Sequence, residues 1–245
     1  MEQLIKKAAK EISKAKNAVA LTGAGISVES GIPPFRGKGG LWEKFDPMEY
    51  ASIYSFLKDP AKVWKVLLMD MKKIMDTAQP NNAHNGLAKL ENLGILKTII
   101  TQNVDGLHQV AGNNDVIEFH GSFANLYCME CNKQFKMENI GIDEFPPKCK
   151  CKGIIRPDCV FFGEQIPEAN LDRSRKVSAN CDLMLIIGTS GVVQPAAMMP
   201  HIAKDSNAFI IEINADPTPY TNMISDIFLQ GRAGEIMKKI INELE

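Results

Sequence analysis

The stretch Ala18-Val19-Ala20-Leu21-Thr22-Gly23-Ala24-Gly25-Ile26-Ser27 opens on five uncharged residues and runs into a glycine pair. A short continuous apolar run bounded by glycine is the pattern of a strand buried on both faces of a parallel sheet. Glycines at that point let backbone amides approach a pyrophosphate at a helix N-terminus, although a plain tight turn needs the same residues. The strict dinucleotide fingerprint is not met, because its third glycine would fall at Val28.

Three further runs share the character of the first: Leu96–Thr101, Leu183–Ile187 and Ala208–Asn214. Helical patterns lie between them, at Pro60–Ala78, Asn82–Asn92 and Glu168–Ala179, and the chain closes on a helix over Ala233–Leu244. Met1–Lys16 alternates lysine with apolar residues at helical spacing and predicts an amphipathic helix. Strand and helix alternate, which predicts an α/β fold with a doubly wound parallel sheet and a ligand beyond the carboxyl ends of its strands. Gly121–Arg156, with paired cysteines and Pro146-Pro147 but no long periodic element, breaks the alternation and is the candidate inserted module.

The chain has 245 residues, 45% hydrophobic and 23% charged, with a formal net charge of -1. That balance suits a globular enzyme and gives no bulk electrostatic argument for nucleic acid or an anionic membrane. No run of 18 or more apolar residues suggests a membrane span, and no signal peptide is evident. A cytoplasmic protein, a monomer without direct nucleic-acid binding, is the expectation. Cysteines in a reducing compartment are metal ligands or buried thiols more often than disulfides.

Four of the six cysteines form two close pairs, Cys128/Cys131 and Cys149/Cys151, with 17 residues between the pairs. This spacing brings four thiolates around one tetrahedral, closed, structural zinc. Cys159 and Cys181 are unpaired and suit small buried positions.

Polar residues gather where strands end. Gly31-Ile32-Pro33-Pro34-Phe35-Arg36-Gly37 forms a long loop placed for a phosphate ligand, with Arg36 as its cation and Phe35 as a wall; a surface arginine and a core phenylalanine explain them equally. Gln102, Asn103 and Asp105 follow Leu96–Thr101, where an amide or ribose would be read, though a helix cap would use one of them. His120 closes Val116–Phe119 and has the chemistry of a general base or of a satisfied structural histidine. His84 falls in the first turn of a helix and looks structural, while His108 and His201 have no constellation of their own. Gly188-Thr189-Ser190 and Asn214 present hydroxyls and an amide at two more strand ends, suited to ribose hydroxyls and adenine or to turns.

In this order, Gly23–Ser27, Gly31-Ile32-Pro33 with Phe35-Arg36-Gly37, Thr101–Asp105, His120-Gly121, the cysteine pairs, Phe161–Glu164 and Gly188–Ser190 resemble the sirtuins, the silent information regulator family. The match extends to Gly231–Glu235 and covers nearly the whole chain. The resemblance implies an NAD-dependent protein-lysine deacetylase, a transferase that passes the acetyl group to ADP-ribose. It further implies a Rossmann-like NAD-binding domain of residues 1–120 and 157–245. The small domain would comprise the zinc-ribbon module, 121–156, and part of the helical region 37–80. An acetylated protein or peptide would enter between the two. NAD would be consumed, giving free lysine, nicotinamide and O-acetyl-ADP-ribose. Gly23, Ala24, Gly25, Ser27, Phe35, Arg36, Gly188, Thr189, Ser190, Asn214 and Ala233 would bind the cofactor. By the same resemblance Asn103 and Asp105 line the nicotinamide pocket with Ile32, Gln102 and His120 contact the ribose, and His120 and Asn103 are catalytic. His120 would activate a ribose hydroxyl against the alkylamidate intermediate. Val160, Phe161, Phe162, Gly163 and Glu164 resemble the strand that takes the substrate peptide by β-augmentation.

Several positions depart from the family pattern. Pro34 replaces an acidic residue, the second cysteine pair is C-x-C, Val110 replaces a basic residue, Cys159 a branched aliphatic one and Gly191 a leucine. Leu67 and Asp70 align where sirtuins that prefer acidic acyl groups carry Tyr and Arg, so a carboxylate at Asp70 would repel such groups and favour acetyl or a longer apolar chain around Leu67 and Leu68. Protein mono-ADP-ribosyl transfer, or NAD and zinc binding without turnover, are the alternatives.

Overall fold

The computed structural model describes residues 1–36, 39–141 and 144–245; Gly37 of the cofactor-loop motif lies outside them. Among the described residues nine strands are formed: β1 Ala18–Thr22, β2 Leu96–Thr101, β3 Val116–Glu118, β4 Gly121–Cys128, β5 Gln134–Lys136, β6 Ile155–Cys159, β7 Leu183–Ile187, β8 Phe209–Asn214 and β9 Ile227–Gln230. Six make one sheet in the order β3-β2-β1-β7-β8-β9, and every pairing in it is parallel. The order reverses at β1, between β2 and β7, the kind of switch point beyond which doubly wound folds bind ligands.

β1 and β7 are buried at every residue, which is why they are legible as unbroken apolar runs. The longer helices are α1 Glu2–Lys14, α2 Asn82–Asn92, α3 Glu168–Asn180, α4 Met199–Asp205 and α5 Ala233–Leu244. α1 buries Ile5, Ala8, Ala9 and Ile12, the i, i+3, i+4, i+7 stripe of an amphipathic helix. With α2 and α5 it covers one face of the sheet; α3 and α4 contribute Leu171, Val177, Met199 and Ala203 to the core on the other. None of the described helices is long and apolar enough to cross a membrane.

Two expectations change here. The segment 121–156 contains an eight-residue strand, β4, paired antiparallel to β5 and β6 in a separate three-stranded sheet. Its apolar period is broken between Ser122 and Leu126 by a register shift against β6, so no regular pattern shows in the sequence. The helix expected over Pro60–Ala78 is interrupted by a π-turn at Trp64–Leu68. Trp64 is fully buried, donates Nε1 to the Ile155 carbonyl at 3.0 Å, and packs with Phe56, Leu68, Phe123 and Leu126 in one core.

Candidate active site

A cavity of about 790 Å³ opens at the carboxyl ends of β1, β2, β7 and β8. Gly23, Ala24 and Gly25 form part of its wall. The segment Ala24–Ser30 is a 3-10 helix, and two of the glycine amides are already engaged: Gly23 N donates to the Ile187 carbonyl at 3.1 Å and Gly25 N to that of Gly188 at 2.8 Å. What the glycines allow is contact between two loops. A Cβ on Gly25 would stand 2.6 Å from Gly188 Cα, which real side chains do not tolerate.

Phe35, Arg36, Gln102, Asn103 and His120 lie on the wall, as do Gly188, Thr189, Ser190, Asn214 and Ala233. Ser27, Ile32 and Asp105 are not among the lining residues. Ser27 and Asp105 stand behind the wall as a brace, with Ser27 Oγ donating to Asp105 Oδ2 at 2.7 Å and accepting from Asn103 Nδ2 at 3.1 Å. Asn103 Nδ2 also donates to the Gly23 carbonyl at 3.2 Å. Both amide hydrogens of this buried side chain are thereby committed, leaving Oδ1 as its acceptor. Asp105 Oδ1 meanwhile accepts from Leu107 N at 3.0 Å, although the N-cap of the short helix Leu107–Val110 is Gly106.

Gln102 Nε2 donates to Thr189 Oγ1 at 2.8 Å, and Asn214 Nδ2 to the Thr189 carbonyl at 3.0 Å, which ties three strand ends together. His120 Nδ1 is 3.0 Å from the Gln102 carbonyl oxygen. A carbonyl only accepts, so Nδ1 carries the proton and Nε2 the lone pair. Burial lowers the pKa of His120, with the hydrogen bond to Gln102 acting the other way.

His108, which had no evident constellation, is buried beside His84 with ring centroids 5.0 Å apart. His108 Nε2 is 2.9 Å from Thr22 Oγ1, and His84 completes a capping box with Asn81. Burial pushes His84 to about 4 and His108 to about 3. No spacing rule links positions 84 and 108; the helix Asn82–Asn92 packs against the short helix Leu107–Val110 and brings them together.

Val160–Glu164 lines the cavity but is not a strand. Gly163 takes φ +89°, and Glu164 folds back to accept both Arg156 NH1 and NH2 at 2.7 Å. Phe162 makes one isolated bridge to Ser52, its amide donating to Ala51 and its carbonyl accepting from Ile53. The apolar end of the cavity carries Leu67, Leu68, Met71, Phe123 and Phe161. The wider π-turn rotates the chain less per residue and sets consecutive Leu67 and Leu68 on one side. Asp70 is not on this wall; it pairs with Lys73 at 3.3 Å.

The sulfurs of Cys128, Cys131, Cys149 and Cys151 all lie within 4.8 Å of one another. Separations of 3.5 Å for Cys128–Cys151, 3.7 Å for Cys131–Cys149 and 3.5 Å for Cys131–Cys151 match the roughly 3.8 Å edge of a tetrahedron with Zn–S of about 2.3 Å. All four are free of disulfides, and the donor set fits one structural zinc.

Residues 23–195 match the model of the Sir2 family. An Archaeoglobus fulgidus protein named NAD-dependent protein deacylase 1 is 48% identical over 236 residues, 96% of either chain. A Sir2 homologue solved as an NAD complex is 48% identical with a TM-score of 0.90, covering 97% of this chain and 93% of the other. A Sir2 protein solved with a p53 peptide and NAD+ is 34% identical with a TM-score of 0.89, covering 98% of each.

Proposed function

The chain belongs to the Sir2 family and is an NAD-dependent protein deacylase, and we propose that it takes acetyl-lysine as substrate with His120 as its base. The observation that carries the assignment of His120 is the 3.0 Å bond from Nδ1 to the Gln102 carbonyl, which leaves Nε2 as the proton acceptor on the cavity wall.

NAD supplies the ribosyl carbon that accepts the acyl oxygen as nicotinamide leaves, and one water is consumed as the C–N bond to lysine breaks, so the products are free lysine, nicotinamide and O-acetyl-ADP-ribose. Within the chain, Asn103 offers Oδ1 to an amide donor, held there by Ser27 and the Gly23 carbonyl. Asp105 fixes Ser27 from behind, and Ile32 sits beside this brace in sequence. Gly23, Ala24, Gly25, Phe35 and Arg36 form one side of the cofactor site, and Gly188, Thr189, Ser190, Asn214 and Ala233 the other. Positioning is the main contribution of such a site, because the acyl oxygen is a poor nucleophile.

The substrate backbone runs along Val160–Glu164. Support comes from Gly163, whose amide and carbonyl make no backbone hydrogen bond within the described chain and are open to a peptide. The acyl group points to Leu67, Leu68, Met71 and Phe123, an uncharged wall suited to acetyl or a longer apolar chain. The two bodies we assign are 1–120 with 157–245, and 121–156 with part of 37–80; the shared core of Phe56, Trp64, Phe123 and Ile155 supports the second grouping. Zinc held by Cys128, Cys131, Cys149 and Cys151 staples that smaller body. Free thiols suit a reducing compartment, and we place the enzyme in the cytoplasm.

Mass spectrometry of acetyl-lysine and succinyl-lysine peptides incubated with the protein and NAD tests the reading. Deacetylation that requires NAD, yields O-acetyl-ADP-ribose and is lost in His120→Ala is the expected result. Turnover of the succinyl peptide alone would overturn the acyl assignment.

A further inference from the structure

β8 ends on Glu212-Ile213-Asn214, and Glu212 is fully buried. No Lys or Arg among the described residues forms an ion pair with it. A buried carboxylate without a cation is stable only if hydrogen-bond donors take the place of water. Three hydroxyls do so here. Thr218 Oγ1 donates to Oε1 at 2.5 Å, while Thr221 Oγ1 and Ser225 Oγ donate to Oε2 at 2.9 and 2.8 Å.

All three donors come from the loop that joins β8 to β9. Its other anchor is Tyr220, which is buried in the core with Met199 and Ala203. From Asp216 to Ser225 its backbone hydrogen bonds are internal, to Thr218, Tyr220 and Thr221. Pro217 and Pro219 have no backbone donor to offer. Beyond Glu212, the Tyr220 hydroxyl reaches the Ala197 carbonyl at 3.0 Å. Yet Asp216, Pro217, Thr218 and Pro219 line the same cavity as Thr189, Ser190, Asn214 and Ala233. One carboxylate at a strand end thus joins the sheet to a stretch of cavity wall that has no regular structure.

We propose that Glu212 is a positioning residue for NAD: its carboxylate gathers the hydroxyls of Thr218, Thr221 and Ser225 and so fixes the 215–225 loop as the wall against which the adenosine half of the cofactor packs. The inference rests on the reading of this cavity as the NAD site. Glutamine at 212 keeps the shape but turns a donor toward hydroxyls that now donate, and it removes the charge that strengthens each bond. The loop loses its fixed geometry, and binding must then order it.

The test is calorimetric titration of ADP-ribose into the zinc-loaded wild type, Glu212→Gln and Thr221→Val, with steady-state kinetics on an acetyl-lysine peptide. Thr221 supplies a hydroxyl but does not line the cavity. In Glu212→Gln the Kd for ADP-ribose and the KM for NAD are expected to rise about fivefold to fiftyfold, and in Thr221→Val about twofold to tenfold, the scale of one or two lost hydrogen bonds. The KM for peptide and kcat at saturating NAD should stay within about twofold of wild type. An unchanged Kd in folded Glu212→Gln, or a fall in kcat with Kd unchanged, overturns the proposal. If Glu212→Gln does not fold, an unchanged Kd in Thr221→Val does so. A wild-type protein that fails to bind ADP-ribose would instead remove the cofactor reading itself, and this inference with it.

Discussion

His120 Nδ1 faces the carbonyl oxygen of Gln102 at 3.0 Å, so the backbone that ends β2 dictates which nitrogen of the imidazole stays bare. Burial holds its pKa below the ordinary 6.5, so the neutral base predominates at pH 7. The acid limb of kcat/KM is expected below pH 6.5, and His120→Ala should lose about 10² to 10⁴ in kcat. A pH profile whose acid limb lies above 6.5 would contradict the assignment.

Glu164 pairs with an Arg156 side chain that is only 3% exposed. The guanidinium also lies 4.6 Å from the Phe161 ring centroid. Glu164→Ala leaves a buried cation without its partner and should cost about 3 kcal/mol in chemical denaturation, the lower end for such pairs because Glu164 is partly exposed. Arg156→Met with Glu164→Ala should recover much of that loss; a double variant less stable than Glu164→Ala would argue against the ion pair as the cause.

Zinc analysis by atomic emission is expected to return one equivalent per chain. Cys128→Ser should abolish it and lower the melting temperature, because the metal and the β4-β5-β6 sheet form together. A variant that keeps full zinc occupancy would sink the four-cysteine assignment.

Acid should destabilise the fold through His84 and His108, held at about 4 and about 3. Between those values and the unfolded pKa near 6.5, the unfolded chain binds protons that the folded chain refuses. Stability is therefore whole above pH 6.5 and is lost as pH falls toward 4, at up to about 1.4 kcal/mol per pH unit for each imidazole. His108→Gln should flatten the slope measured by urea denaturation from pH 7 to 4.5; an unchanged slope would exclude His108 as a contributor.

At position 191 a side chain would meet the Tyr220 ring, with Cβ 2.8 Å from Cε2, and the backbone there has φ +69°. Gly191→Leu, which restores the residue usual in the family, should destabilise this chain by about 2 kcal/mol or more. Adding Tyr220→Ala relieves the overlap but not the backbone strain, so thermal unfolding of the double variant tests how the loss divides.

The buried strands were legible because burial on both faces leaves little room for charge, Lys97 being the one charged residue in the three: Ala18–Thr22, Leu96–Thr101 and Leu183–Ile187 coincide with β1, β2 and β7. β9, four residues long with Phe228 half-buried, offers too short a run to separate from a loop. Buried charges were invisible for another reason. Arg156 and Glu212 look like surface residues until partners distant in sequence are brought to them. Val160–Glu164 shows the converse: the family resemblance implies a peptide-binding strand, while Gly163 and the Arg156–Glu164 pair turn the chain. Asp70, expected near the acyl group from its aligned position, pairs with Lys73 and does not line the cavity.

The contact of Gly25 with Gly188 carries a consequence for the order in which the protein matures. β1 leaves the ribosome ending at Thr22, but its neighbour β7 does not begin until Leu183. At roughly 5–20 residues per second the first glycine loop waits on the order of ten seconds for the carbonyl that will hold it. The four cysteines fall between those two points and can gather their metal while the large sheet is still half made.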